Sequence, residues 1–373
     1  MEKVSIAVIG AGVVGLAVAA ELSKKTKDIV LLEKESSFGQ HTSSRNSEII
    51  HAGIYYPKDS LKAKFCVEGK KLLYAFCEEN QIPFRKLGKI IVAVEEKEIV
   101  QLQELERKAK ANGVDDLSWL DKKQIEELEP EVSAVSALFS PSTGIIDSHS
   151  LMRCLEQKAK DNGVIISYGS EVMGIRYEGR GTKDEGRRYV ININGEEMLE
   201  AEILINSAGL YSDKIAVMVG IDIKKSYYQL HYCKGEYFSY RKPSFLKHLV
   251  YPVPEAEVKS LGIHSVIDLG GNLKFGPSAE YVDSIDYRVD PTHRNHFAAA
   301  VKNLFPKVEE EDLIPDQAGI RPKLQGPGEA FRDFVIKEES QKGFPGLINL
   351  IGIESPGLTA CLAIARYVAS LVS

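Results

Sequence analysis

Gly10, Gly12 and Gly15 form a Gly-x-Gly-x-x-Gly turn between a short β-branched run, Val4 to Ile9, and an apolar-faced helix expected over Leu16 to Lys25. Few turns constrain a chain so tightly. The first glycine bends the backbone, the second lets a pyrophosphate approach, and the third lets helix meet strand. The helix N-terminus then offers free N–H groups and a partial positive charge to phosphate. A second strand, Ile29 to Leu32, ends at Glu33, about 20 residues on, where a carboxylate accepts from ribose hydroxyls. Strand, turn, helix, strand and acid together point to a dinucleotide; the glycines alone would not.

The bulk properties narrow the class. With 373 residues the chain has room for about two domains. Its net charge of −6 carries no basic excess of the kind a nucleic-acid binder shows. The five cysteines, Cys66, Cys77, Cys154, Cys233 and Cys361, are scattered and odd in number, with no metal-ligand or redox-pair spacing. They read as reduced thiols in an intracellular, cytoplasmic protein that needs no metal. Three residues precede the first strand, which leaves no space for a leader. There is no apolar stretch of about 18 residues to span a membrane, although a peripheral contact with the inner membrane is compatible with the sequence.

Further along, a polar loop covers Glu35 to Asn46 and a helix begins near Ser60. Residues 84–96 alternate like a strand, and 97–112 read as a charged, solvated helix with a thin apolar stripe. Strands are expected at Gly163 to Tyr168, Tyr189 to Ile193 and Ala201 to Asn206, with the charged excursion at 178–188 a surface hairpin. From about 221 to 344, tyrosines, prolines and alternating segments suggest an antiparallel sheet with long loops. The end returns to nucleotide-fold character, with a strand at Leu347 to Ile351, a loop at Gly352 to Gly357 and a helix over Leu358 to Leu371. The expected fold is α/β (α+β): a discontinuous Rossmann-like domain over 1–82, 140–220 and 345–373, with an inserted, mainly antiparallel substrate domain over 83–139 and 221–344.

FAD is favoured over NAD. The glycine fingerprint occurs once, whereas a flavoenzyme fed by a nicotinamide would usually carry two. Gly352-Ile353-Glu354-Ser355-Pro356-Gly357-Leu358-Thr359 leads into a helix whose positive end would stabilise a reduced flavin. Asn206-Ser207-Ala208-Gly209 is a second glycine turn, placed to pack against the dinucleotide. The expected cofactor contacts are Gly10, Gly12, Val13, Val14 and Gly15 at the first turn, then Glu33 and Lys34. The polar loop adds Thr42, Ser43, Ser44, Arg45 and Asn46, followed by His51, Val172, Ala208 and Gly209. Gly319, Arg321, Gly352, Ser355, Pro356, Gly357, Leu358 and Thr359 complete the set.

Three segments carry a family resemblance. The glycine turns and the closing segment look like the D-amino-acid-oxidase-like FAD-dependent oxidoreductase superfamily. His41 through Tyr56, Gly319-Ile320-Arg321-Pro322-Lys323-Leu324 and Gly352 through Ala360 most resemble its L-2-hydroxyglutarate dehydrogenase/oxidase group. The resemblance implies FAD, two domains and oxidation of L-2-hydroxyglutarate to 2-oxoglutarate. Electrons would pass to a quinone, a carrier protein or oxygen. In some relatives a histidine near His51 carries the flavin covalently; non-covalent FAD is the expectation here.

Oxidising a 2-hydroxy acid moves a hydride to flavin N5 while a base takes the hydroxyl proton. His264 and His51 are the candidates, since an imidazole titrates near neutral pH; either could instead be a hydrogen-bonded packing residue. Arg321 is the expected carboxylate anchor, because a guanidinium grips a carboxylate with two parallel bonds. Its structural alternative is a pair with Asp316 or Glu354. Tyr237 and Tyr251 could offer phenols to substrate, and Lys234 and Lys323 a second cation for a diacid. Competing readings are an amine or amino-acid oxidase of the glycine or sarcosine type, a glycerol-3-phosphate dehydrogenase-like enzyme, and a non-catalytic FAD-binding redox sensor.

Overall fold

The computed structural model describes residues 2–179, 188–254 and 262–372. The chain divides into two compact units. Unit 1 comprises Met1–Ser44, Ser148–Tyr232 and Arg321–Ser373, and unit 2 comprises Arg45–Asp147 and Cys233–Ile320. Four stretches fall elsewhere than the sequence suggested: 45–82 and 140–147 belong to unit 2, and 221–232 and 321–344 to unit 1. The first follows from packing, since the helix Leu61–Glu79 buries Phe65, Cys66, Leu73 and Cys77, and its start is capped by Ser60, whose Oγ accepts from the Ala63 N–H at 3.1 Å.

Unit 1 is a sheet flanked by helices. Its strand β1 (Glu2–Ile9) is followed by α1 (Val13–Leu22) and β2 (Ile29–Leu32). The later elements are α2 (Ser148–Asp161), β3 (Ile165–Ser167), β4 (Glu196–Asn206), β5 (Phe344–Ile351) and α3 (Gly357–Val372). All pairings among these strands are parallel, and they give the order β5-β4-β1-β2-β3. The buried strands read as continuous apolar runs, as a sheet covered on both faces requires. α1 is apolar nearly all round because it packs on both α2 and α3. Strand order reverses beside β1, so the carboxyl ends of β1 and β4 form the switch point where such sheets bind ligands.

An antiparallel ribbon, Val172–Glu178 with Arg188–Ile193, extends the sheet from β4. Of the charged excursion read as a hairpin, 178–188, residues 180–187 lie outside the described residues; its two ends, Glu178 and Arg188, pair opposite each other.

Unit 2 is mainly antiparallel, as expected. One sheet runs Leu249–Pro252, Lys89–Ala93, Ser136–Ser140, Ser118–Asp121, and its first pairing is parallel. The strand read as alternating is in fact buried at all five positions, Lys89 to Ala93, because it is central in this sheet. The helix Ile99–Ala111 buries the thin stripe Leu102, Leu105 and Ala109 and leaves its charges outside. A second sheet contains His264–Ile267, Leu273–Gly276 and His231–Tyr240. Ser265 ties the two sheets, its Oγ accepting from the Val250 N–H at 2.6 Å and donating to the Val250 carbonyl at 3.1 Å. Phe238, Phe275, Phe297 and Phe305 fill the core between them, where truncating one ring to Ala would cost about 3–5 kcal/mol.

Candidate active site

In unit 1 the three glycines of the first turn have different physical reasons to be there. Gly10 stands at φ +100°, and a Cβ on it would lie 2.7 Å from the Ser207 carbonyl oxygen. At Gly15 a Cβ would lie 1.9 Å from the Gly10 oxygen, so any side chain forces α1 away from β1. Gly12 is not explained in this way. The nearest atom to a Cβ there is the Ser43 Oγ at 3.0 Å, a contact that a small hydroxyl movement relieves. Close approach of a phosphate does explain it. Gly12 opens α1 without any side-chain cap; Val13 N–H donates to Ser43 Oγ at 3.0 Å. The exposed donors of the first helical turn, reinforced by the helix dipole, suit a pyrophosphate.

The polar loop is tied to this turn, with Gly39 N–H donating to the Ala11 carbonyl at 3.1 Å and Ser44 Oγ to the Gly39 carbonyl. Glu33 has a second task besides the ribose contact expected of it. Its Oε2 accepts from the Ala11 N–H at 2.7 Å and its Oε1 from the Glu35 N–H at 2.9 Å. A carboxylate has about four lone-pair sites, so capacity remains for hydroxyls. Lys34, expected to touch the cofactor, lies over the Tyr211 ring at 3.7 Å and near Glu35 at 3.3 Å.

The turn after β4 rests on buried amides that the sequence did not reveal. Asn206 donates to the Ser212 carbonyl at 2.7 Å and to Asn349 Oδ1 at 2.8 Å, and its own Oδ1 accepts from the Ala208 N–H at 3.3 Å. Asn349 donates in turn to Glu339 at 3.0 Å. Gly209, at φ +55°, has open space where a Cβ would stand. In the closing segment Gly352 takes φ +73°, and α3 begins at Gly357 after Ser355 and Pro356. Val172 is buried at the start of its strand.

Unit 2 gathers the other candidates around a residue that sequence reading passed over. Lys89 is 1% exposed, and its Nζ lies 4.5 Å from the centre of the Tyr55 ring and 4.6 Å from that of Tyr251. Burial lowers its pKa to about 7. Burial, seconded by the same ammonium, holds His51 well below the ordinary imidazole value. The Tyr251 ring packs on His264 with centroids 3.7 Å apart. His264 Nδ1 bonds to the Gly276 carbonyl. A carbonyl can only accept, so Nδ1 carries a proton, and in the neutral ring that leaves the lone pair on Nε2. Tyr237 Oη shares a 2.7 Å hydrogen bond with Ser47 Oγ. Lysine at the head of the apolar run Lys89-Ile90-Ile91-Val92-Ala93 was the available sequence signal.

Residues 5–371 match the family model described as FAD dependent oxidoreductase. The chain belongs to the FAD-dependent oxidoreductase family. Its cofactor is FAD, in keeping with the cradle at Gly12 and the N-terminus of α1. The mitochondrial L-2-hydroxyglutarate dehydrogenase of Arabidopsis thaliana is 41% identical, over 99% of this chain and 83% of that one. That of Indibacter alkaliphilus is 29% identical over 97% of each. Among solved structures, L-α-glycerophosphate oxidase from Mycoplasma pneumoniae, with FAD bound, superposes at a TM-score of 0.87 with 28% identity, over 100% of this chain and 95% of that one. Glycine oxidase from Geobacillus kaustophilus, at 22% identity, TM-score 0.80 and the same coverage, shares the fold. No helix among the described residues is long and apolar enough to cross a membrane.

The family's expected residues divide between the units. Gly10 to Gly15, Glu33, Lys34, Thr42, Ser43, Ser44, Ala208, Gly209, Arg321 and the closing segment lie in unit 1; Arg45, Asn46, His51, Gly319 and both candidate bases lie in unit 2. Arg45 stacks over Tyr287 at 4.1 Å, and Asn46 Oδ1 accepts from the Glu48 N–H at 2.7 Å. Gly319 is required by its own unit, since a Cβ would lie 2.0 Å from the Arg45 carbonyl oxygen. The two lysines considered for a second carboxylate are committed elsewhere. Lys323 makes a buried pair with Glu354 at 3.1 Å. Lys234 pairs with Glu236 at 3.1 Å and donates to the Arg288 carbonyl at 2.5 Å. Of the acids considered as partners for Arg321, Glu354 pairs with Lys323 and Asp316 with Lys274 at 2.7 Å.

Proposed function

We propose that the chain oxidises L-2-hydroxyglutarate to 2-oxoglutarate. The observation that carries this reading is His264: its Nδ1 proton is fixed by a carbonyl, so Nε2 is the basic nitrogen. The substrate named for the chain's full-length relatives supplies the hydroxyl that such a base would deprotonate. When bound, FAD supplies an acceptor for a hydride and its two electrons. The residues of the chain do the rest. α1 and the Gly12 turn hold the pyrophosphate, with Glu33 on a ribose. Arg321 grips the carboxylate beside the hydroxyl in a fork geometry. His264 takes the hydroxyl proton as the C2 hydride leaves, which produces the ketone. His51, kept neutral by burial and by Lys89, supports the same proton inventory.

The electrons then go to a quinone, a carrier protein or oxygen, and turnover with each acceptor ranks the three. We place the chain in the cytoplasm, in line with five cysteines that form no disulfide.

An anaerobic spectral titration with L-2-hydroxyglutarate, D-2-hydroxyglutarate, glycine and glycerol 3-phosphate tests the reading. Bleaching of the flavin band by the first compound supports it, and bleaching by glycine or glycerol 3-phosphate alone replaces it with an amine- or glycerophosphate-oxidising one.

A further inference from the structure

Two phenols at the centre of unit 2 have nothing to bond to. The phenolic oxygens of Tyr55 and Tyr251 are buried without hydrogen-bond partners. Between the two rings stands the Lys89 ammonium. Among the described residues only the Cys66 thiol favours the protonated lysine, and no carboxylate takes part. A buried ammonium without an anion is costly, and an apolar side chain of similar length would fill the same space at lower free energy. Cation–π contact with two tyrosines recovers part of that cost. It does not satisfy the three N–H donors or the two hydroxyls. A purely architectural account therefore leaves Lys89 unexplained.

An incoming carboxylate answers every one of these deficits. It brings a negative charge and about four lone-pair sites, which match an ammonium flanked by two O–H donors. Tyr251 also packs on His264, so the cationic centre is joined by direct ring contact to the candidate base. Tyr55 is only partly buried, so its side of the cluster is the nearer to solvent. Lys234 and Lys323, the other candidates, already have carboxylate partners.

We propose that Lys89, Tyr55 and Tyr251 form the receptor for the distal carboxylate of a dicarboxylic substrate and so set its selectivity over monocarboxylates. The inference rests on the 2-hydroxy-diacid reading given above. It assigns Lys89 to the carboxylate far from the reacting carbon.

Two measurements on the FAD-loaded protein separate the possibilities. The first is calorimetric binding of glutarate and of pentanoate, neither of which can be oxidised at C2. Glutarate should bind more tightly than pentanoate, and Lys89→Met should weaken glutarate about 100-fold, the scale for removing one partner of a buried charge pair. Tyr251→Phe and Tyr55→Phe, which remove one oxygen each, should weaken it several-fold. The second is the ratio of kcat/KM for L-2-hydroxyglutarate to that for L-2-hydroxypentanoate, which should fall about 100-fold in Lys89→Met. Equal losses on both acids, or glutarate binding that ignores Lys89, overturns the receptor. Lys89-dependent glutarate binding without any bleaching by L-2-hydroxyglutarate keeps the receptor and removes the proposed reaction instead.

Discussion

The rings of Tyr251 and His264 pack with their centroids 3.7 Å apart, and the Lys89 ammonium lies 4.6 Å from the centre of the same Tyr251 ring. One phenol thus touches both the residue proposed to take a proton and the residue proposed to hold a charge. Replacing His264 with Asn removes the basic nitrogen but keeps a group able to bond to the Gly276 carbonyl. The rate of anaerobic flavin bleaching should fall about 10²–10⁴-fold, the usual contribution of a positioned base, with the flavin retained. A rate within threefold of the parent would exclude His264 as the base.

Arg321→Met tests the anchor. The substrate concentration for half-maximal rate should rise by roughly 100-fold, as expected on losing a charge-assisted bidentate contact, and the bound flavin should stay in place. Unchanged kinetics would remove Arg321 from the substrate.

Lys89→Met should make the protein more stable, which a packing residue would not. In the folded chain Lys89 titrates near 7, below its ordinary value of 10.5. The unfolded chain therefore binds more protons between those values, so stability rises with pH across that window. At neutral pH and below, removing the ammonium should stabilise the chain, on the order of a few kcal/mol. Thermal unfolding at pH 6.5 should show a Tm several degrees higher in the variant; a lower Tm would assign Lys89 to architecture.

The same titration has a kinetic sign. The ammonium is present below about 7 and lost above it. Its neighbours keep their charge across that range: burial pushes the Cys66 thiol up to about 12, raises both phenols well above their usual value, and holds His51 low. KM for L-2-hydroxyglutarate should therefore climb from pH 7 to 9 in the parent and stay flat, at a high level, in Lys89→Met. A flat parent profile would mean that the far carboxylate meets a permanent cation.

How far the sequence carried this reading differs residue by residue. The first turn was legible because Gly10 and Gly15 are local steric necessities, and the acid at Glu33 sits at a fixed spacing from them. The partners Glu33 takes were not legible, since the Ala11 N–H reaches it only after β1 and β2 pair. His51 and His264 could be named as residue types, yet nothing linear links them to Lys89. Lysine at the head of an apolar run looks like a solvated strand end; here Ser140 and Leu249 pair with it on either side and close it in. Asn206 and Asn349 lie 143 positions apart, and the parallel register of β4 with β5 is what makes them neighbours. The boundary near Ser44 was hidden for a similar reason: the loop continues smoothly in sequence, while the contacts of the helix Leu61–Glu79 change allegiance.

The most direct trial of the whole account is a product balance without oxygen. Purified holoprotein, mixed anaerobically with one equivalent of L-2-hydroxyglutarate, should lose its blue absorbance and yield one 2-oxoglutarate per flavin reduced, with no change on adding the D-enantiomer. A flavin that keeps its colour while L-2-hydroxyglutarate remains intact would contradict it.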